Sequence, residues 1–140
     1  MNASPETLGL PHREPFLFID TVTALCPGES AEGHKTFPPE EAFFRGHFPG
    51  EPLVPGVILT EALAQIAGLA VAQPGLRLAA IRAMKFPSAA RPGEKIALRA
   101  DRQGGVGALH QFAVRASVNG TTVAEGVVIL GSASAENHPA

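Results

Sequence analysis

The chain has one cysteine, no tyrosine and little charge: 17% of its 140 residues are charged and the net charge is −2. A lone Cys26 has no partner for an internal disulfide, and no Cys/His cluster carries zinc spacing. The five histidines, His12, His34, His47, His110 and His138, include no pair three or four residues apart, so the paired metal ligands of a helix are not expected. Neither a metal nor another cofactor is implied. A near-neutral chain does not read as a nucleic-acid-binding protein. The first ten residues are polar and include Glu6, unlike a signal peptide, and no apolar run reaches membrane-spanning length without a polar interruption. The expectation is a soluble, cytoplasmic protein without membrane insertion.

What the chain does have is a 45% hydrophobic content, enough for one core, with fifteen glycines and thirteen prolines to shape its loops. Residues 1–9 read as a loose arm or short helix, 10–130 as one domain, and 131–140 as a small, polar, disordered tail. Phe16 to Leu25 and Ser30 to Phe37 read as strands, separated by the turn signal Pro27-Gly28. Glu40 to Phe44 suits one helical turn. Gly56 to about Ala72 is rich in Ala and Leu, has no internal proline and reads as a helix. Pro55 is placed in its first turn, and Pro74-Gly75 ends it. Leu76 to Phe86, Glu94 to Arg102, Ala108 to Val118 and Thr121 to Leu130 read as strands. Gly104-Gly105 and Asn119-Gly120 supply turns between them. The helix is apolar on nearly every side, so the economical fold is α+β, an antiparallel sheet curled round it. Such a sheet has free edges that a second copy would protect.

Two polar groups stand out against this background. His47 lies in the Gly/Pro-walled loop Gly46-His47-Phe48-Pro49-Gly50, and Glu61 lies in the apolar helix. An ionised, unpaired carboxylate among apolar side chains costs several kcal/mol, so folds seldom keep one without a use. Gln65 shares its helical face, four residues on. A histidine can remove a proton near neutral pH. A carboxyl group with apolar walls keeps its proton more readily and can donate it, whereas a helix start pulls the other way. The N–H groups of Gly56 and Val57, at the helix start, lack intrahelical acceptors and can hold a carbonyl oxygen as charge builds on it. Base, acid and oxyanion donors together suit elimination of water from a β-hydroxy carbonyl compound. His34 and His110 read as sheet residues, and Cys26, with no base near it in sequence, as inert.

The run from Gly46 to Gln65, with Leu10-Pro11-His12-Arg13 before it and Lys85-Phe86, Pro92-Gly93 and Val118-Asn119-Gly120 after it, resembles the (3R)-hydroxyacyl-acyl-carrier-protein dehydratases of the FabZ type over about residues 8–131. The resemblance implies the hot-dog fold, with His47 as catalytic histidine and Glu61 as catalytic acid, contributed by different subunits of a dimer. It implies Gly56 N–H as the thioester-carbonyl donor and Gln65 beside the acid. The FabA-type branch has Asp where this chain has Glu61, which favours dehydration without isomerisation. The chain departs from the family's common pattern at Glu14, where Tyr is usual, and at Pro87-Ser88-Ala89-Ala90. With no tyrosine it has no tyrosine gate. These departures bear on docking and chain length, in primary fatty acid synthesis or a related lipid or polyene pathway, and leave the acid–base pair untouched.

The implied substrate is a (3R)-hydroxyacyl chain on the phosphopantetheine arm of acyl carrier protein, converted to a trans-2-enoyl thioester. Leu59, Leu63, Ile66 and Phe86 are candidate tunnel residues. Arg77, Arg82, Lys85, Arg91 and Lys95 are candidates for docking the acidic carrier. The assembly expected is a homodimer or a trimer of dimers. Two alternatives are a hot-dog acyl-thioesterase and a non-catalytic acyl-binding subunit. Both agree less well with the presence of His47 and Glu61 together.

Overall fold

One apolar helix decides the architecture. In the computed structural model, which describes residues 1–132, α1 spans Gly56–Val71 and buries ten of its sixteen residues. Pro55 stands at its N-cap, with ψ 138°, rather than inside the first turn. At the other end Ala72 takes a left-handed conformation (φ 58°, ψ 36°), and its N–H closes on the Gly68 carbonyl at 3.0 Å. That conformation costs a residue with a Cβ about 1–2 kcal/mol, and Pro74 then prevents continuation.

Among the described residues, six strands cover the helix: β1 Thr21–Cys26, β2 Ser30–Thr36, β3 Leu76–Lys85, β4 Lys95–Val106, β5 Leu109–Val118 and β6 Thr121–Ser132. They form one antiparallel sheet in the order β1-β2-β4-β5-β6-β3, and α1 touches every strand. Strand periodicity sends alternate residues inward. Ile96, Leu98 and Ala100 of β4 and Phe112, Val114 and Ala116 of β5 face the helix side chains Leu63, Ile66 and Ala67. Each Leu or Ile so buried contributes about 1.5–3 kcal/mol. The helix comes close to β2 because Gly33 has no side chain. A Cβ there would sit 2.5 Å from the Thr21 carbonyl oxygen and 3.2 Å from Ile66 Cδ1.

Several details differ from the sequence expectations. Strand β1 begins at Thr21, not Phe16, because a buried side-chain amide rather than a neighbouring strand takes the backbone groups of Phe16 and Phe18. Gly104-Gly105 is not a turn. It lies inside β4, where Gly104 (φ 138°) absorbs a register shift, and the hairpin turns at Gly107. Gly131 and Ser132 continue β6 as paired residues, and the rest of the expected tail, 133–140, lies outside the described residues. The N-terminal arm is packed rather than loose: Ala3 exchanges two backbone hydrogen bonds with Val22, at 3.0 and 2.8 Å, and Pro5 is buried.

The two sheet edges therefore differ. Along β1 the arm provides cover. Along β3 no strand among the described residues pairs beyond it, and Leu78 and Ile81 are 37% and 50% exposed. An edge that is both unpaired and apolar invites association. No helix among the described residues is long and apolar enough to cross a membrane.

Candidate active site

The loop before α1 is fixed by its own backbone. A 3₁₀ turn at Ala42–Arg45 leads into it, and the His47 N–H donates to the Phe43 carbonyl at 3.0 Å. Leu53 N–H donates to the His47 carbonyl at 2.8 Å, which folds the loop back on itself. The His47–Phe48 peptide is cis, as is Glu14–Pro15, and the two rings of His47 and Phe48 stack at 4.1 Å. Phe43 and Phe44 pack against each other, and Phe43 packs on Phe37, anchoring the turn in the core.

One hydrogen bond sets the chemistry of His47. Its Nδ1 lies 3.1 Å from the Leu53 carbonyl oxygen. A carbonyl oxygen only accepts, so Nδ1 carries the proton and Nε2 is left with a free lone pair, the form a general base requires. The imidazole lines a cavity of about 410 Å³ with Leu53, Gly56, Leu59, Phe86 and Val123. Gly56 leaves space here: a Cβ would meet the Phe86 ring at 3.0–3.2 Å, and the ring would have to shift to admit it. Ile58 and Leu59 N–H both donate to the Pro55 carbonyl, at 3.0 and 3.1 Å, and the N–H groups of Gly56 and Val57 find no acceptor among the described residues. His47 and Gly56 thus line one cavity.

Glu61 lies elsewhere. Glu61 opens onto a second cavity of about 450 Å³, walled by Leu10, Ala64, Gly68, Leu69, Leu76 and Leu78 among others. Its side chain is 21% exposed. Gln65 Nε2 donates to Glu61 Oε2 at 3.1 Å, one helical turn away, as the spacing predicts. His12 Nε2 approaches the same oxygen at 3.6 Å. Within one chain, then, the histidine beside Glu61 is His12, and His47 lines a different cavity.

The remaining candidates divide. Leu59 and Phe86 line the His47 cavity. Leu63 and Ile66, expected in a tunnel, are fully buried on the helix face that packs against the sheet, and line neither cavity; a helix apolar all round gives no sequence signal of which face meets the sheet. Val57 is 77% exposed and lines neither cavity. Of the basic residues, Arg77 lines the Glu61 cavity, Arg82 donates to Gln111 Oε1 at 3.0 Å, and Lys85 sits opposite Glu125 on the neighbouring strand. Arg91 and Lys95 are exposed.

His12 was not singled out from sequence. Its only sequence signal was membership of Leu10-Pro11-His12-Arg13, and no spacing rule connects it to Glu61, 49 positions on. His34 and His110 lie on β2 and β5. Burial, and for each a nearby cation (Lys95 and Arg102 respectively), push both imidazoles below the usual histidine range. The Cys26 thiol is pushed up, first by its hydrogen bond to Glu29, which favours the thiol over the more nucleophilic thiolate.

Known proteins are similar to this chain. A family model described as ApeI-like, ApeI dehydratase, matches residues 24–127. The 3-hydroxyacyl-acyl-carrier-protein dehydratase FabZ of Ruminiclostridium cellulolyticum is 42% identical over 126 residues, covering 85% of this chain and 88% of that one. FabZ of Thiobacillus denitrificans is 38% identical over 125 residues, covering 83% and 86%. Among solved structures, the dehydratase heterocomplex ApeI:P from Xenorhabdus doucetiae matches with a TM-score of 0.74 at 16% identity, covering 93% of this chain and 91% of that one. An uncharacterized protein from Pyrococcus horikoshii matches with a TM-score of 0.72 at 19% identity, covering 94% and 93%. At these identities the structural likenesses bear on the fold alone, which is the hot-dog fold.

Proposed function

The chain belongs to the family of 3-hydroxyacyl-acyl-carrier-protein dehydratases and removes water from such substrates, and we propose that it does so with an acid and a base supplied by two copies of itself. The observation behind this reading is that His47 and Glu61 line separate cavities in one chain, and β3 runs between them. Leu76 and Leu78, at the start of β3, wall the Glu61 cavity, and Phe86, just past its end, walls the His47 cavity. If the open β3 edge pairs antiparallel with the same edge of a second copy, the start of each β3 meets the end of the other. The Glu61 cavity of one copy then adjoins the His47 cavity of its partner. The same pairing covers Leu78 and Ile81, which supports it independently.

In this reading the thioester carbonyl accepts from Gly56 N–H, with Val57 N–H beside it, and its α-proton becomes acidic as charge moves onto that oxygen. His47 Nε2 takes the α-proton. The C–H electron pair forms the double bond, the Cβ–O bond breaks, and the departing hydroxyl takes a proton from Glu61 and leaves as water. The product is a 2-enoyl thioester. The apolar cavity beside Glu61 receives the acyl tail, along the small residues Ala64 and Gly68. The acidic carrier docks near the exposed Lys85 and Arg91, close to the His47 cavity mouth.

Complementation tests the shared site. His47→Ala and Glu61→Ala, assayed separately with a 3-hydroxyacyl thioester, should each lose about 10²–10⁴ in rate. When the two are co-refolded, each mixed dimer has one intact site, and activity returns to about a quarter of wild type. Absence of any recovery in a verified mixed dimer overturns the two-copy site. Near-native turnover in either single variant overturns the roles assigned to the pair.

A further inference from the structure

The amide of Gln65 cannot flip. Its Oε1 accepts from Phe18 N–H at 2.9 Å and its Nε2 donates to the Phe16 carbonyl at 3.1 Å, so backbone groups fix which end is which. The end turned toward the acid is therefore always N–H, and it meets Glu61 Oε2. His12 aims at the same oxygen. Its Nδ1 is buried with no hydrogen-bond partner among the described residues, and its Nε2 is 3.6 Å from Oε2. A lone pair on Nε2 would face the lone pairs of a carboxylate, whereas an Nε2–H gives a donor where there is an acceptor. An approach of this length is ordinary for a catalytic contact that tightens once substrate is bound. The loop is held to deliver it: Arg13 Nη1 donates to the Leu10 and His12 carbonyls, both at 2.7 Å, and the His12 ring stacks on Phe16 at 6.5 Å.

We propose that His12 is a positioning residue for the acid: with Gln65 it donates to Glu61 Oε2, so the proton delivered to the leaving hydroxyl is carried on Oε1. The inference rests on the acid role of Glu61 proposed above. Two donors on one oxygen make that oxygen the carbonyl-like end of the neutral acid, which leaves Oε1 to hold the proton. As the proton departs, both contacts become charge-assisted and strengthen, so they favour the transition state over the ground state. The charged or titratable groups around His12 are Glu61 from α1, Arg77 from β3 on the wall of the same cavity, and Arg13 beside it in the chain.

The test is a double-mutant cycle with a pH profile. His12→Ala should lower kcat about tenfold, the loss of one hydrogen bond to a charged group, with KM within about twofold. A donor to the carboxylate favours its ionised form; without it the acid holds its proton longer, and the alkaline limb of kcat moves to higher pH. His12→Gln, which keeps an N–H at the end of the side chain, should recover most of the rate. In a Glu61→Ala background, His12→Ala should have no further effect. A wild-type kcat and unmoved limb in His12→Ala, or an equal loss in the Glu61→Ala background, would overturn the positioning role. If His12→Ala does not fold, His12→Gln and His12→Asn carry the same comparison, because Asn is too short to reach Oε2 and should lose what Gln retains. A fully active Glu61→Ala would instead remove the acid itself, a separate failure of the proposed function.

Discussion

Gln65 is 1% exposed and joins α1 to the segment before β1: its Oε1 takes the Phe18 N–H at 2.9 Å. The same side chain holds the Phe16 carbonyl and the Glu61 carboxyl. One amide thus satisfies the buried Phe18 N–H and the part-buried Phe16 carbonyl, which a strand partner would otherwise have to satisfy, and passes a fixed N–H to Glu61.

Gln65→Leu should therefore do two things. It leaves the Phe18 N–H and Phe16 carbonyl unpaired, at roughly 1–3 kcal/mol each, so stability should fall by about 2–4 kcal/mol. Urea unfolding measures this. Gln65→Glu is expected to be no better, because a carboxylate has no N–H for the Phe16 carbonyl and faces a second carboxyl at Glu61. A stability within about 0.5 kcal/mol of wild type for Gln65→Leu would show that other groups take over.

Ile81→Asp places a charge near the middle of the open β3 edge, at a side chain 50% exposed in the single chain. The fold should survive, since that side chain is not in the core. Self-association should not, because a desolvated, unpaired carboxylate would sit at the interface. Light scattering should give a monomer with native far-UV circular dichroism, and turnover should drop about 10²-fold or more because each site loses one of its two groups. An active dimer of this variant would place the interface elsewhere.

His34 should tie stability to pH on the acid side. Burial, and then the charge of Lys95, lower its folded-state value, and Asp20 opposes them. The unfolded imidazole takes up a proton as pH falls below about 6.5, while the folded one resists. The unfolded state binds more protons in that window, so the stabilising contribution is complete above the unfolded value and is lost as pH falls through the lowered folded value. Urea midpoints at about pH 7.5 and about pH 5.5 should differ less in His34→Gln than in wild type. Equal differences in the two proteins would show that His34 does not carry this dependence. His110 is shifted in the same direction for the same leading cause, so some slope should remain.

Local pattern and tertiary placement contributed differently to these conclusions. Periodicity gave the helix almost to the residue, because α1 is long, rich in good helix formers and bounded by Pro55 and Pro74. It gave the hairpin at Asn119-Gly120, where positive φ at both residues makes the turn type a local property. It does not separate Phe16–Asp20 from β1, because those apolar, β-prone residues are held by a helix side chain rather than by a strand. It read Gly104-Gly105 as a turn, since a glycine pair serves a bulge and a turn equally well. Leu63 and Ile66 pack against the sheet rather than a tunnel, and nothing in an all-apolar helix marks the side that does so.

The amino-acid order alone determined the helix, the strand alternation, the His47 loop and the Glu61–Gln65 pair, because each depends on residues a few positions apart and on fixed backbone geometry. Tertiary structure alone decided that His12 stands beside the acid, that His47 opens onto a separate cavity, and that β3 is the uncovered edge linking them. These depend on which distant segments pack together, and that is set by burial of the whole helix within the sheet rather than by any local spacing.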